Sequence, residues 1–199
     1  MPGIKIQECV PALPVSGASL SAVMACANVD TITNSILVIE YDHHEVHQGS
    51  MFTVDWYPGD VSAAASANLF IVTPNTTKWA HIVPEVSSEN ESTFYIYEGA
   101  SYASSGTQIV PINKNRNSST VSTCFVNHTP STPSISGATL IRTIHWGSSK
   151  AYGGFDRNAL EFILKQNTTY LFQVVNNSGG ASWTHIMLIW YEHTNKSFY

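Results

Sequence analysis

The densest group of potential ligands in the chain is Asp42-His43-His44-Glu45-Val46-His47, three imidazoles and two carboxylates within six residues. Imidazole nitrogen and carboxylate oxygen are donors that zinc and its first-row neighbours accept, so metal binding is the first chemistry to weigh. Spacing limits it. Read as a continuing strand, the stretch puts His43, Glu45 and His47 on one face, with the outer two roughly 13 Å apart at about 3.3 Å per residue, too far to grip one ion together. His43 with Glu45, or His44 with a distant residue, would still supply two ligands. We expect no metal here and take His43, His44, Glu45 and His47 as candidate subunit contacts at a sheet edge, between the apolar segment 36–41 and Gly49. Contacts of that kind weaken as pH falls through about 6.5 and imidazoles gain charge.

The remaining histidines, His81, His128, His145, His185 and His193, are scattered singly among expected strands and read as structural. Glu40 with Asp42, or Glu89 with Glu91, would make paired acids, but a solvated face explains them as well. The chain has no Gly-x-Ser-x-Gly elbow, Walker loop or His-Glu-x-x-His helix, the local signatures of nucleophilic, phosphate-binding and zincin chemistry. A cupin-type metal enzyme needs a His-x-His pair with a Glu a few residues on, and the residue two after His43 is Glu45. We expect no catalytic residues and no cofactor. Trp146, Tyr152 and Phe155 flank a Gly- and Ser-bearing loop and are the candidate ligand or partner loop, where an aromatic face would stack on a sugar. Asn-x-Ser/Thr triplets recur, as composition alone produces in a chain this rich in those residues.

The elements that position these groups are strands. Phe52, Val54 and Trp56 alternate with Thr53, Asp55 and Tyr57. The pattern returns at Phe94 and Ile96, at Val121, Thr123 and Phe125, and at Tyr170, Phe172 and Val174. A period of two marks strands with one buried face. Segments 36–41 and 186–191 are apolar on both faces and read as central strands. Turn chemistry lies between them, at Tyr57-Pro58-Gly59-Asp60, Thr73-Pro74-Asn75, Asn115-Arg116-Asn117-Ser118, Thr129-Pro130-Ser131, Gly153-Gly154 and Asn176-Asn177-Ser178-Gly179-Gly180. Ala159 to Lys165 alternates well and Gln166-Asn167-Thr168 reads as a turn into a strand from Thr169, so a hairpin is expected there. About ten short strands at this spacing predict an all-β chain, an antiparallel β-sandwich or jelly-roll-like domain over 31–199. Residues 1–30 read as an N-terminal arm or appendage, with helical spacing over 19–28.

At 199 residues the chain suits one core. Charged residues are only 12%, against about 25% in an average soluble domain, so the surface is polar yet largely uncharged and sheds its water cheaply on docking. A net charge of -5 without a Lys/Arg cluster argues against nucleic acid, and no apolar run is long enough to span a membrane. The opening Met-Pro-Gly-Ile-Lys-Ile has neither the basic head nor the apolar stretch of a secretory leader. Cys9, Cys26 and Cys124 are odd in number and read as thiols of a reducing compartment, with a Cys9–Cys26 bridge the alternative.

Read in order, Ile39-Glu40-Tyr41-Asp42-His43-His44-Glu45-Val46-His47-Gln48-Gly49, Thr73-Pro74-Asn75-Thr76-Thr77-Lys78-Trp79-Ala80-His81, Tyr97-Glu98-Gly99-Ala100, Asn113-Lys114-Asn115-Arg116-Asn117-Ser118, Ile163-Leu164-Lys165-Gln166-Asn167-Thr168-Thr169-Tyr170 and Trp190-Tyr191-Glu192-His193 resemble a family of tailed-bacteriophage virion proteins. The resemblance covers 36–194. It implies a non-enzymatic structural protein that cements or decorates the capsid exterior, often as a trimer, with the major capsid protein as partner and assembly in the host cytoplasm. No catalytic residues come with it. The arm and one sandwich face are then expected to meet the capsid. A head or tail fibre module binding host-surface glycans through the loop from Trp146 to Phe155 is the alternative.

Overall fold

The computed structural model describes residues 41–147, 152–153 and 161–194, which apart from Tyr41 belong to the compact unit Asp42–Tyr199. The expected arm and its helix, the strand over 36–40, the possible Cys9–Cys26 bridge and Phe155 lie outside the described residues.

Among the described residues the chain is nearly all β, as its alternation predicts. After a helix α1 (Tyr41–Gln48) come β1 (Met51–Val61), β2 (Ser66–Val72), β3 (Lys78–Ser88), β4 (Ser92–Glu98), β5 (Thr107–Ile109), β6 (Ile112–Asn113), β7 (Phe125–His128), β8 (Thr139–Trp146), β9 (Tyr152–Gly153), β10 (Phe162–Ile163), β11 (Thr169–Asn176) and β12 (Ser182–Thr194). They form two antiparallel sheets. The first has the order β10-β3-β12-β1-β6, with β9 also on β3, and the second has the order β5-β7-β2-β11-β4-β8.

One apolar core fills the space between the sheets, because the alternating residues of each strand turn inward together. Phe52, Val54 and Trp56 of β1 meet Phe94 and Ile96 of β4 and Tyr170, Phe172 and Val174 of β11, all buried. β12 is central, between β3 and β1; Ile186, Leu188 and Trp190 are sealed inside, while Met187 and Ile189 on the other face are half-buried. A smaller cluster covers part of the second sheet's outer face, where Phe70 and Leu171 pack with Ala100, Tyr97 and Tyr102. The cover is made of two loops, bridged at Ser101 with Ser134 and at Ser104 with Ser131.

Three local expectations are corrected. Tyr57-Pro58-Gly59-Asp60 is no turn: Gly59, at φ +81°, takes up a register shift within β1, and pairing with β12 runs on to Val61. Val121 and Thr123 are not strand residues; only Phe125 enters one, and Val121 and Phe125 are exposed. The hairpin after residue 159 does not form either. Gln166 and Asn167 do turn the chain, but β10 pairs with β3 in one sheet and β11 with β2 and β4 in the other.

Candidate functional site

The Asp42 to His47 stretch is helical. Its first turn carries Asp42, an acid where the helix dipole favours one, and its last turn carries His47. Gly49 closes it in the left-handed conformation, φ +71°, with its N–H on the Val46 carbonyl at 3.0 Å, while Ser50 N–H reaches the Glu45 carbonyl at 3.1 Å. A Cβ at Gly49 would stand 2.4 Å from Ser118 Oγ, so the approach of the 113–120 loop also requires glycine. Asn115 Nδ2 then donates to the His47 carbonyl at 3.1 Å.

The helix overturns the strand spacing. His43 and His47, four residues apart, lie one turn apart on the same exposed face. Their Nε2 atoms are 2.9 Å apart and their rings meet edge to face. Glu45 turns the other way and is buried, accepting from the Ser50 hydroxyl. His44 is half-buried, its Nδ1 3.4 Å from Glu45 Oε1. Of the candidate contact residues, then, His43 and His47 face outward and Glu45 does not.

Two histidines read as isolated come together. β3 and β12 pair Tyr191 with His81 and His193 with Trp79, which stacks the rings of His81, Tyr191 and His193, with the His81 centroid 4.6 Å from that of Tyr191 and 4.5 Å from that of His193. Glu161, just before β10, joins them. The Tyr191 hydroxyl donates to Glu161 Oε1 at 2.6 Å, leaving His81 Nδ1, 3.1 Å from the same oxygen, to donate its own proton. Burial lowers the His81 pKa, opposed by the hydrogen bond to Glu161 and reinforced by His193. This network ties edge strand β10 to β3 and β12. Beside it Trp79, Ile163, Leu164, Lys165 and Gln166 line an open cleft of about 340 Å³. The cross-strand register of distant segments makes the cluster, and no local spacing announces it.

The other histidines keep local partners: His145 with the Thr93 hydroxyl and Glu91, His185 with Asp55, and His128 with the Thr129 hydroxyl. Among the described residues, no group of three or more His, Cys, Asp or Glu side chains stands close enough to hold a metal ion, and no helix is long and apolar enough to cross a membrane. The candidate ligand loop changes too. Trp146 is buried in the core at 6% exposure, so it offers no face to a sugar. Tyr152 lies on β9 opposite Ser88.

A feature the sequence reading missed is the segment joining the two sheets' edges. β5 is an edge strand of the second sheet and β6 of the first. Between Val110 and Phe125 four large apolar side chains face solvent, Val110 at 71%, Ile112 at 46%, Val121 at 78% and Phe125 at 55% exposure. The segment is pinned from within. Asn113 Nδ2 donates to the Gly49 and Thr120 carbonyls. The carboxylate of Glu192, at 2% exposure, accepts from the Ser122 hydroxyl, the Thr123 N–H and hydroxyl, and the Trp190 indole. Cys124 beside it is a buried free thiol, its pKa pushed up by burial and by that carboxylate. Comparison of the chain with family models, with curated proteins and with solved structures returned no match.

Proposed function

We propose that the chain is a non-enzymatic structural protein of a tailed-phage virion, a decoration or cement protein on the capsid exterior that binds the major capsid protein. What supports this reading, beside the sequence resemblance, is the set of exposed apolar side chains Val110, Ile112, Val121 and Phe125 on the segment that links the two sheets and enters β7. Four large apolar side chains exposed within one short stretch of chain are more than the single scattered ones usual on a surface, and they suit a protein contact. The buried Glu192 clamp holds that surface in shape before any partner arrives, which limits the ordering cost of binding. A surface poor in charge adds little desolvation penalty. On this reading assembly takes place in the host cytoplasm, and the copies form a homo-oligomer, with a trimer favoured by the resemblance.

The experiment uses purified heads. Val121→Asp and Phe125→Asp alter exposed positions, so melting temperatures should hold. If the two are anchor residues worth about 2 kcal/mol each, affinity for heads falls roughly thirtyfold per variant. Full occupancy by both variants would refute the surface, and imaging that finds the protein on the tail would refute decoration.

A further inference from the structure

We infer that His43 and His47 form a two-point chelate for a borderline divalent transition metal, Cu²⁺ ahead of Ni²⁺ and Zn²⁺, on the solvent face of α1. The geometry comes first. Metal–imidazole bonds are about 2.0–2.1 Å long, so two nitrogens in neighbouring coordination positions of one ion stand about 2.9–3.4 Å apart, from right-angled to tetrahedral. His43 Nε2 and His47 Nε2 are 2.9 Å apart. That equals the bite of two neighbouring ligands at a right angle, the arrangement that square-planar and octahedral ions use.

The backbone and the surroundings favour the same conclusion. Both rings present Nε2, the outer nitrogen, and both residues are exposed, so an ion arriving from water meets them without rearrangement of the fold. The helix end beneath them is fixed by Gly49, by Ser50 on the Glu45 carbonyl and by Asn115 on the His47 carbonyl, so the backbone spacing of the pair is set in advance and only the exposed rings turn to aim both nitrogens at the ion. Between two neutral rings only one Nε2 carries the shared proton. Coordination requires that proton to move to the ring's Nδ1, a tautomer change with no net proton released. The two side chains supply two ligands and water completes the set. Oxygen-seeking Mg²⁺ and Ca²⁺ gain nothing from imidazole, and the affinity order follows the Irving–Williams series. The site does not depend on the virion reading.

The test titrates CuCl₂, NiCl₂ and ZnCl₂ separately into tag-free, metal-stripped full-length protein. His43→Gln, His47→Gln and His44→Gln are measured alongside, with circular dichroism to check that each is folded. The parent should show one Cu²⁺ equivalent more than either His43→Gln or His47→Gln, or bind its tightest equivalent at least about tenfold more strongly, with Ni²⁺ and Zn²⁺ weaker in that order. His44→Gln should match the parent, because its Nε2 faces Gln48, 3.4 Å away. Melting supplies an independent readout: saturating Cu²⁺ should raise the parent's melting temperature and leave that of His47→Gln unmoved. Identical titrations for parent, His43→Gln and His47→Gln would overturn the inference, as would loss of the tight equivalent in His44→Gln.

Discussion

Replacing Glu192 with glutamine removes one buried charge while keeping the side chain's volume. The carboxylate has three oxygen-facing neighbours besides the Trp190 indole: the Ser122 hydroxyl at 2.5 Å on Oε1, the Thr123 hydroxyl at 2.6 Å on Oε2 and the Thr123 N–H shared between both oxygens. Every one of these groups donates. A glutamine offers one acceptor oxygen; its NH₂ can donate to a Ser122 or Thr123 hydroxyl that turns to accept, but it cannot serve the Trp190 indole or the Thr123 N–H, which only donate. About one N–H donor loses its partner, at roughly 1–2 kcal/mol in a site closed to water, and the remaining bonds lose their charge assistance at about 1–2 kcal/mol more in total, so the variant should be destabilised by about 2–4 kcal/mol. With a urea m-value near 2 kcal/mol per molar, the denaturation midpoint falls by about 1–2 M. Trp190, fully buried, reports unfolding by its fluorescence. Amide exchange at Thr123 gives a local check: in the variant it should speed up more than exchange in β11, because the 121–124 segment loses its tether before the core opens. A midpoint shift under 0.5 M, about 1 kcal/mol on the same m-value, would refute the clamp.

Two further perturbations test the scaffold. Lys165 donates to Glu98 and lowers its pKa, and the Tyr170 hydroxyl, 2.8 Å from the other oxygen, lowers it further against burial. A carboxyl depressed by folding stabilises the fold above its unfolded value and loses that contribution as pH falls through the folded one. Urea midpoints of the parent should therefore fall relative to Glu98→Gln below about pH 4.5, by less than about 1 kcal/mol because Lys165 is largely exposed; parallel curves from pH 7 to 3 would refute the assignment. Gly106→Ala puts a Cβ 2.2 Å from the His128 carbonyl oxygen at φ +73°, so thermal or urea melts should show a loss of at least about 2 kcal/mol, whereas an unchanged midpoint would mean that the loop moves freely.

The sandwich is legible where local pattern and tertiary pairing agree. Phe52, Val54 and Trp56, or Tyr170, Phe172 and Val174, alternate because one face meets the opposite sheet, and the structure buries those faces. Legibility ends where a distant residue decides. Val121, Thr123 and Phe125 alternate equally well, but Glu192, some seventy residues on, binds Thr123 through its N–H and hydroxyl and takes it out of any ladder. Pro58-Gly59 has turn chemistry, yet β12 is long enough to pair on both sides of it, and the glycine becomes a bulge. β10 is extended as expected. Its sheet was invisible, because two residues of strand carry no partner preference.

The helix α1 shows the same competition over eight residues. In Asp42-His43-His44-Glu45-Val46-His47-Gln48-Gly49 polar residues dominate, so neither a period of two nor one of 3.6 stands out, and an apolar segment just upstream invites the strand reading. The readable signal was at the ends: an acid in the first turn, a histidine in the last, and a glycine just beyond. Reading those caps first turns a separation of roughly 13 Å into one helical turn. It also divides the four residues by direction, since positions 43 and 47 share a face that position 45 does not. Glu45 is thereby buried, near enough to act electrostatically on His81, and His43 and His47 are left as the pair available to solvent, an ion or another chain. A contact through this stretch that depends on imidazole must therefore run through those two side chains first.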